Sequence, residues 1–247
     1  VNLTGFPESI PTKVGPSVAD NVTGIYLCVG VLMALYNRER TGLGQAVDVA
    51  MLDTIFSLLE NAIVIQTLTG TTPQRQGNID PSIAPFDIYE VQDGFVAIGV
   101  GNDKLWAKFC EVIDRKDLIN EEKYLTNDAR CQNYVPELRD IIRDWAKDKT
   151  KKQLEALFDE AGIPCGPVLD MQEAIDHPQI QAREMMVHME HPTIGEMYFQ
   201  GVPVKLSRTP GSVDTPAPLL GQHNEEIYGK LGISHETIIS MKEEGII

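Results

Sequence analysis

Residues 13–53 decide the fold of this 247-residue chain, and they read KVGPSVADNVTGIYLCVGVLMALYNRERTGLGQAVDVAMLD. Near the middle of this stretch the apolar residues recur every three or four positions, which is the spacing of one helical face. The pattern predicts a helix from about Ala19 to Arg40, which the following glycine-containing turn ends. The alternating residues Gln45–Met51 predict a strand, and Asp53 is expected to cap a second helix through about Leu68.

Turn and linker signals predict how the rest of the chain is divided. Residues 70–85 are rich in Thr, Pro, Gly and Asn, so the helical pattern breaks and a domain boundary is predicted here. Alternating runs on both sides of Asp93-Gly94 predict a β-hairpin, because this dipeptide tolerates the positive φ of a tight turn. Helical spacings follow, with a capping box at Thr150, and then short strands, the last over Val202–Leu206. A proline-rich linker, residues 207–218, precedes two short C-terminal helices.

The composition excludes several classes of partner and site. The chain carries 21 Lys and Arg against 36 Asp and Glu, a net charge of −15, which argues against a nucleic-acid surface and an anionic membrane. Its four cysteines form no CxxC pair, which indicates reduced thiols in the cytoplasm. No stretch is expected to reach the apolar length of a membrane span, and no signal peptide opens the chain. His188 and His191 lack a third ligand at a motif spacing, so no metal site is predicted.

Asp20 is the candidate for chemistry, at the entrance of the long predicted helix. Ser17-x-x-Asp20 fits the capping-box formula, and a carboxylate in the first turn is favoured by the helix dipole. The same position suits a nucleophile, because backbone N–H groups at a helix start can bind the oxyanion of a tetrahedral intermediate. Spacing alone does not separate the cap from the nucleophile.

Other candidate residues have simpler structural explanations. Asp48 is expected to point away from its apolar neighbours on the predicted strand, so it and Asp53 favour structural roles over a carboxylate cluster with Asp20. Cys165 lies in a tight Pro-Gly turn, without a histidine at a motif spacing. Lys13, in the loop before Asp20, is either a solvated loop lysine or a positive charge for an anionic ligand.

Four stretches of the chain carry a resemblance to one family. The run from residue 13 to 53 has an acidic residue, a helix, an Arg-x-x-Thr-Gly-x-Gly-Gln turn and a strand in the order typical of the CaiB/BaiF-like family III CoA-transferases, in the formyl-CoA transferase superfamily. QGNIDPSIAPFDIYEVQDGFVAIGVGNDKLW (residues 76–106), AGIPCGPV (161–168) and APLLGQH (217–223) also resemble this family. The resemblance covers nearly the whole chain.

The resemblance implies an α/β fold with three parts. Residues 1–70 would form part of a Rossmann-like large domain, residues 71–206 a smaller α+β domain, and residues 207–247 a linker and helices that return to the large domain. The family's N-terminal half, with the basic residues that hold the CoA nucleotide, has no counterpart before Val1, so a fragment is expected. Two chains would interlock as a homodimer.

The resemblance also implies roles for individual residues. Asp20 would be the nucleophile that carries CoA as an aspartyl thioester between an acyl-CoA donor and a small carboxylic acid acceptor. Gln76, Gly77 and Asn78 would lie in a mobile loop over the active site and contact the substrate. Coenzyme A is then a substrate, with no tightly bound cofactor and no metal, and Lys13 would offer its positive charge to CoA or to the acceptor carboxylate.

Two alternatives stay open at the level of the sequence. A 2-methylacyl-CoA racemase would use Asp20 as an acid and base together with a histidine that would lie before Val1. A structural or interaction module would use Asp20 only as a helix cap. The sequence does not identify the donor and acceptor acids.

Overall fold

The computed structural model describes residues 2–247. Helices and strands both occur along the chain, which confirms the α/β class. The chain forms two compact units, the first ending at Val168 and the second comprising Leu169–Ile247. The predicted divisions near residues 70 and 206 fall inside these units, and the predicted domain boundaries stay a prediction.

The long predicted helix is confirmed as α1, Val18–Thr41. It ends at Gly42, whose φ of 75° is left-handed and whose N–H donates to the carbonyl of Arg38. Glycine suits this position because a left-handed C-terminal residue carries no Cβ penalty there. No residue of α1 is buried in the structure of residues 2–247.

The apolar composition of α1 corrects one expectation from the sequence. This helix has the length and hydropathy of a membrane span, because residues 21–37 carry no charge and the charged residues lie at its two ends. The following two helices, α2 (Met51–Ser57) and α3 (Asn61–Thr69), also pass as one span bent by 76°. The expectation that no stretch reaches this length is therefore wrong. Helices that are covered by protein have the same composition, so one or two such helices are weak support for a membrane.

The segment between α1 and α2 differs from its prediction. Residues 43–50 have no strand partner among the described residues, so the predicted strand is wrong. Burial does alternate along this segment, since Val47 and Val49 are half-buried while Asp48 is exposed. A strand also needs a neighbouring strand to accept and donate its backbone hydrogen bonds, and none lies beside this segment among the described residues. Asp53 does not cap α2, because Ala50 occupies the N-cap and Asp53 lies in the first turn. The apolar helix predicted through Leu68 is interrupted between α2 and α3.

A three-stranded antiparallel sheet organises the rest of the first unit. The predicted hairpin is confirmed, with Phe86 opposite Gly99 and Val91 opposite Gly94. The middle strand also pairs with the third. In chain order the strands are β1 (Phe86–Val91), β2 (Gly94–Gly99) and β3 (Cys165–Val168).

Four helices complete the hydrophobic core of the first unit. Phe109 stacks on Trp106 and on Phe158, with ring centroids 5.8 Å and 5.7 Å apart. The predicted capping box at Thr150 is confirmed, with Gln153 as its partner. The helices are α4 (Asp103–Val112), α5 (Asn127–Asn133), α6 (Arg139–Ala146) and α7 (Lys151–Ala161). Shorter 3-10 turns occupy Lys116–Asn120 and Glu122–Tyr124, and a π-helical turn occupies Tyr134–Leu138.

The second unit combines a hairpin with short helices. Its two strands are antiparallel, with Met186 opposite Gln200 and His191 opposite Gly195. The strand predicted over Val202–Leu206 is wrong, because these residues have no strand partner in the described chain. The two predicted C-terminal helices are confirmed. The elements are α8 (Met171–Asp176), α9 (Pro178–Ala182), β4 (Met186–His191), β5 (Gly195–Gln200), α10 (Asn224–Lys230) and α11 (His235–Glu243).

Candidate functional site

Asp20 lies exposed in the first turn of α1, three residues after the N-cap Ser17. The Ser17 side chain makes no capping hydrogen bond, so the predicted capping box is wrong. The helix start is closed by the backbone instead, where the N–H of Asn21 donates to the carbonyl of Ser17 over 3.0 Å. Among the described residues the Asp20 carboxylate has no hydrogen-bond or ion-pair partner. The carboxylate is therefore free to act on another molecule.

The structure does not pair Lys13 with Asp20. The Lys13 ammonium donates to the carbonyl of Gly15 over 3.2 Å and stays exposed. This contact is the local one that a solvated loop lysine makes, because the long side chain folds back on its own segment.

Gln76, Gly77 and Asn78 form a turn against the segment that precedes Asp20. The N–H of Gly77 donates to the carbonyl of Gly5 over 3.0 Å. Gly77 has a φ of 67°, and a Cβ at this position would lie 2.7 Å from the Phe6 ring. Glycine is required here both by its left-handed backbone and by this close approach. The predicted loop is thus in contact with residues 5 and 6.

Arg75 also joins this loop to the segment before Asp20, through several hydrogen bonds. The sequence did not predict this role for Arg75. Its Nε donates to the carbonyl of Phe6 over 3.2 Å, and one terminal nitrogen donates to the carbonyl of Ser9 over 2.6 Å. The other terminal nitrogen bonds to the side chain of Asn2. A single arginine in a loop produces no recognisable pattern in the sequence. The nearby Gly77 was the residue that indicated this loop.

The far end of the same loop is fixed by α5. The fully buried Arg130 donates from Nε to the carbonyl of Ala84 over 2.9 Å. Asn127 accepts from the N–H of Ala84 and donates to the carbonyl of Ser82, over 3.2 Å and 2.7 Å. Residues 75–84 are therefore held at both ends by side chains.

Asp48 and Asp53 line one small cleft beside α1, of about 250 Å³. The cleft also contains Tyr26 and Ser57, whose hydroxyl oxygens are 3.4 Å apart. Asp20 is not among its lining residues, so a cluster of all three candidate carboxylates does not form at this cleft. No group of three or more metal-ligating side chains occurs in the described part of the chain.

Cys165 is the first residue of strand β3, so the tight turn predicted at this position is wrong. Burial raises the pKa of its thiol to about 11, so the thiol stays protonated at neutral pH. A protonated thiol is a poor nucleophile, which fits the structural role expected for this residue.

Comparison with known proteins gives a consistent result. Residues 1–224 match CoA-transferase family III. Succinyl-CoA–D-citramalate CoA-transferase from Chloroflexus aurantiacus is 34% identical over 247 residues, which cover 99% of this chain and 61% of that protein. Succinyl-CoA:mesaconate CoA-transferase from Haloarcula marismortui is 37% identical over 240 residues, covering 96% of this chain and 59% of that protein.

A solved structure agrees with these sequence matches. A CaiB/BaiF family protein from Brucella suis has a TM-score of 0.77 and 30% sequence identity, covering 93% of this chain and 59% of that one. The chain thus spans about three-fifths of the length of these relatives. By its sequence over residues 1–224 and by its fold, the chain belongs to the family III CoA-transferases.

Proposed function

We propose that this chain carries the nucleophilic aspartate of an enzyme that transfers CoA from an acyl-CoA to a carboxylic acid. The observation that supports it is the state of Asp20, which is exposed, held on a long helix and unpaired among the described residues. A carboxylate that capped its own helix would be engaged by the backbone, and this one is not. Both relatives are named for succinyl-CoA, one together with D-citramalate and the other with mesaconate.

The proposed reaction starts at an oxygen of the Asp20 carboxylate. This oxygen attacks the thioester carbonyl carbon of the donor, the C–S bond breaks, and CoA leaves as the thiolate, with a mixed anhydride on Asp20. The thiolate then attacks the aspartyl carbonyl carbon, and the donor acid leaves as a carboxylate. The resulting aspartyl-CoA thioester keeps the acyl bond activated without ATP.

The second half of the reaction repeats these steps with the acceptor. An oxygen of the acceptor carboxylate attacks the aspartyl carbonyl carbon and CoA leaves, which forms a second mixed anhydride. The thiolate then attacks the acceptor carbonyl carbon, so that the new acyl-CoA forms and Asp20 is released as a carboxylate. The first turn of α1 contributes to both halves, because its free N–H groups and dipole stabilise negative charge near Asp20.

The loop at Gln76, Gly77 and Asn78 is proposed to shape the approach to the substrate. Arg75 and Gly77 hold this loop against residues 2–9, which precede Asp20 in the chain. Because the loop is fixed at both ends, its movement over a substrate would be limited to the residues in between.

An interlocked homodimer in the cytoplasm is part of the same proposal. The exposed apolar side chains of α1, such as Ile25, Leu32 and Tyr36, support a protein partner that covers them. Four free cysteines, without a disulfide among the described residues, support a reducing compartment.

Intact-mass analysis after incubation with succinyl-CoA tests the nucleophile. We expect a covalent CoA adduct on the full-length wild-type protein, and its loss, together with transfer activity reduced by several orders of magnitude, in Asp20→Asn. Asp48→Asn is the matched control, since it neutralises another exposed carboxylate near α1 and should keep the adduct.

Two outcomes would contradict this mechanism. An adduct that persists in Asp20→Asn would place the nucleophile elsewhere. Solvent deuterium entering the α-carbon of a 2-methylacyl-CoA without an adduct or an acceptor acid would indicate a racemase instead.

A further inference from the structure

A cavity of about 370 Å³ lies in the first unit, beside strand β1 and the start of α6. Its walls are mostly apolar and include Phe6, Ile88, Phe95 and Val135. Arg139 supplies a guanidinium to the same cavity. A volume of this size lies in the range of sites for small molecules. Four of the residues that line it are charged, namely Glu90, Arg139, Asp140 and Arg143.

Arg139 is fixed from behind by a buried carboxylate. Its Nε lies 2.8 Å from Oδ2 of Asp87, whose side chain is completely buried. The Tyr134 hydroxyl donates to the same oxygen over 3.1 Å and also bonds to the Tyr89 hydroxyl. Burial and the nearby Asp87 charge raise the pKa of Tyr134, so this hydroxyl keeps its proton and remains a donor. The network therefore fixes the position of the Arg139 side chain.

The outer part of the Arg139 guanidinium is available. Its side chain is 37% exposed, and its two terminal nitrogens donate no hydrogen bond to another described residue. Two terminal N–H groups in one plane match the two oxygens of a carboxylate, and the fixed side chain loses little freedom on binding.

The other charges at the cavity limit the negative charge that a ligand can carry. Arg143 is balanced by Asp140, with 2.7 Å between nitrogen and oxygen, so it adds little net charge. Glu90 is exposed at the cavity and would repel a ligand with more than one negative charge. A monocarboxylate with an apolar body carries one negative charge and can pack against the apolar walls.

We propose that this cavity binds an organic acid with a short alkyl chain. Arg139 donates two hydrogen bonds to the carboxylate, and the alkyl chain packs against Phe6, Ile88, Phe95 and Val135. Asp20 is not among the residues that line this cavity, whereas Asn78 of the loop is, and the proposal does not depend on catalysis by Asp20.

Calorimetric titration with hexanoate, hexanamide and hexylamine tests this site. We expect hexanoate to bind, and hexanamide to bind at least about tenfold more weakly, because it lacks the charge that pairs with Arg139. Hexylamine should not bind. Equal binding of hexanoate and hexanamide, binding of hexylamine alone, or no binding of any probe would overturn the proposal.

Three substitutions locate the site at Arg139. Arg139→Lys keeps the charge beside Asp87 but loses the two-nitrogen fork, so the affinity of the folded variant for hexanoate should fall about tenfold. Glu90→Gln should strengthen binding, because it removes a negative charge from the cavity. Arg143→Lys is the matched control one turn along α6 and should change affinity far less than Arg139→Lys.

The same three variants define the results that would overturn the assignment. Equal losses in Arg139→Lys and Arg143→Lys, or wild-type affinity in a folded Arg139→Lys, would show that the Arg139 fork does not hold the carboxylate. Weaker binding in Glu90→Gln would show that the anion lies elsewhere.

Discussion

Arg130 carries a positive charge in the core of the first unit, where its side chain is completely buried. Its guanidinium donates to the carbonyls of Ala84 and Tyr124 over 2.9 Å and 3.0 Å, and to the carboxylate of Asp103 over 2.8 Å. The guanidinium also lies over the Trp106 ring, 5.2 Å from its centroid. These partners replace the water that the charge loses on burial. Arg130 therefore holds the loop before β1. Its loss would leave buried carbonyl groups without donors, which destabilises the fold.

Removing this guanidinium should destabilise the first unit strongly. We expect Arg130→Met to lower the free energy of unfolding by about 3–5 kcal/mol, because the change leaves buried carbonyls without donors. Urea denaturation followed by circular dichroism measures the difference. Arg115→Met is the control: Arg115 is 40% exposed and pairs with the exposed Asp117, so its loss should cost less than about 1 kcal/mol. Equal costs for the two variants would refute the role given to Arg130.

The capping-box pattern occurs at the start of both α1 and α7, but the capping hydrogen bonds form only at α7. At α7, the Thr150 hydroxyl accepts from the N–H of Gln153, and the Gln153 side chain accepts from the N–H of Thr150. At α1, Ser17 has the same spacing to Asp20 but makes no such bond. The side chain at position three is an amide in one case and a free carboxylate in the other.

The two caps should therefore respond differently to alanine. Thr150→Ala should lower the free energy of unfolding by about 1 kcal/mol, because one backbone N–H of α7 loses its acceptor. Ser17→Ala should change it by less than about 0.5 kcal/mol, since no capping bond is lost. Thermal unfolding of both variants measures these values. A cost at Ser17 equal to that at Thr150 would restore the interpretation of Ser17 and Asp20 as a capping box.

Across the whole molecule, burial is concentrated in one region. The main hydrophobic cluster extends from Ala84 to Ile163, within the first unit. Among the described residues after Val168, the buried apolar side chains are Met189 and Ile238. Local stability follows the density of buried apolar contacts, so the two units should differ in how readily their backbone opens.

Hydrogen exchange measured by mass spectrometry tests this difference. We expect the slowest amides in β2, α4 and α7, and faster exchange throughout Leu169–Ile247. Ile142→Ala, at a fully buried position of α6, should speed exchange across the core of the first unit, at a cost of about 2–5 kcal/mol. Ile239→Ala, at a position that is 41% exposed, is the control and should leave this pattern unchanged.

One result of the exchange measurement would contradict the assigned core, and another would support the proposed homodimer. Slower exchange in Leu169–Ile247 than in β2 would contradict the assignment of the stable core. Strong protection of α1, whose residues are unburied in the described chain, would support the proposed homodimer.

The sequence by itself determined the features that depend on neighbours within a few residues. The 3.6-residue period determined α1, the Asp93-Gly94 turn determined the β1–β2 hairpin, and the position of Asp20 at a helix start followed from the same local pattern. The local pattern was misleading for residues 45–51, because alternation gives a segment two faces but does not provide the adjacent strand.

Only the tertiary structure decided which distant groups meet. Arg75 bonds to Phe6, 69 residues away, and Arg130 bonds to Ala84, 46 residues away. The cavity at Arg139 likewise depends on Asp87 and on Phe6, which approach it through the packing of α6, β1 and a loop. Spacing along the chain cannot specify such pairs, because they are selected by burial and hydrogen-bond satisfaction after the elements have packed. The same reason explains why the sequence located Asp20 while the structure showed its carboxylate to be unpaired.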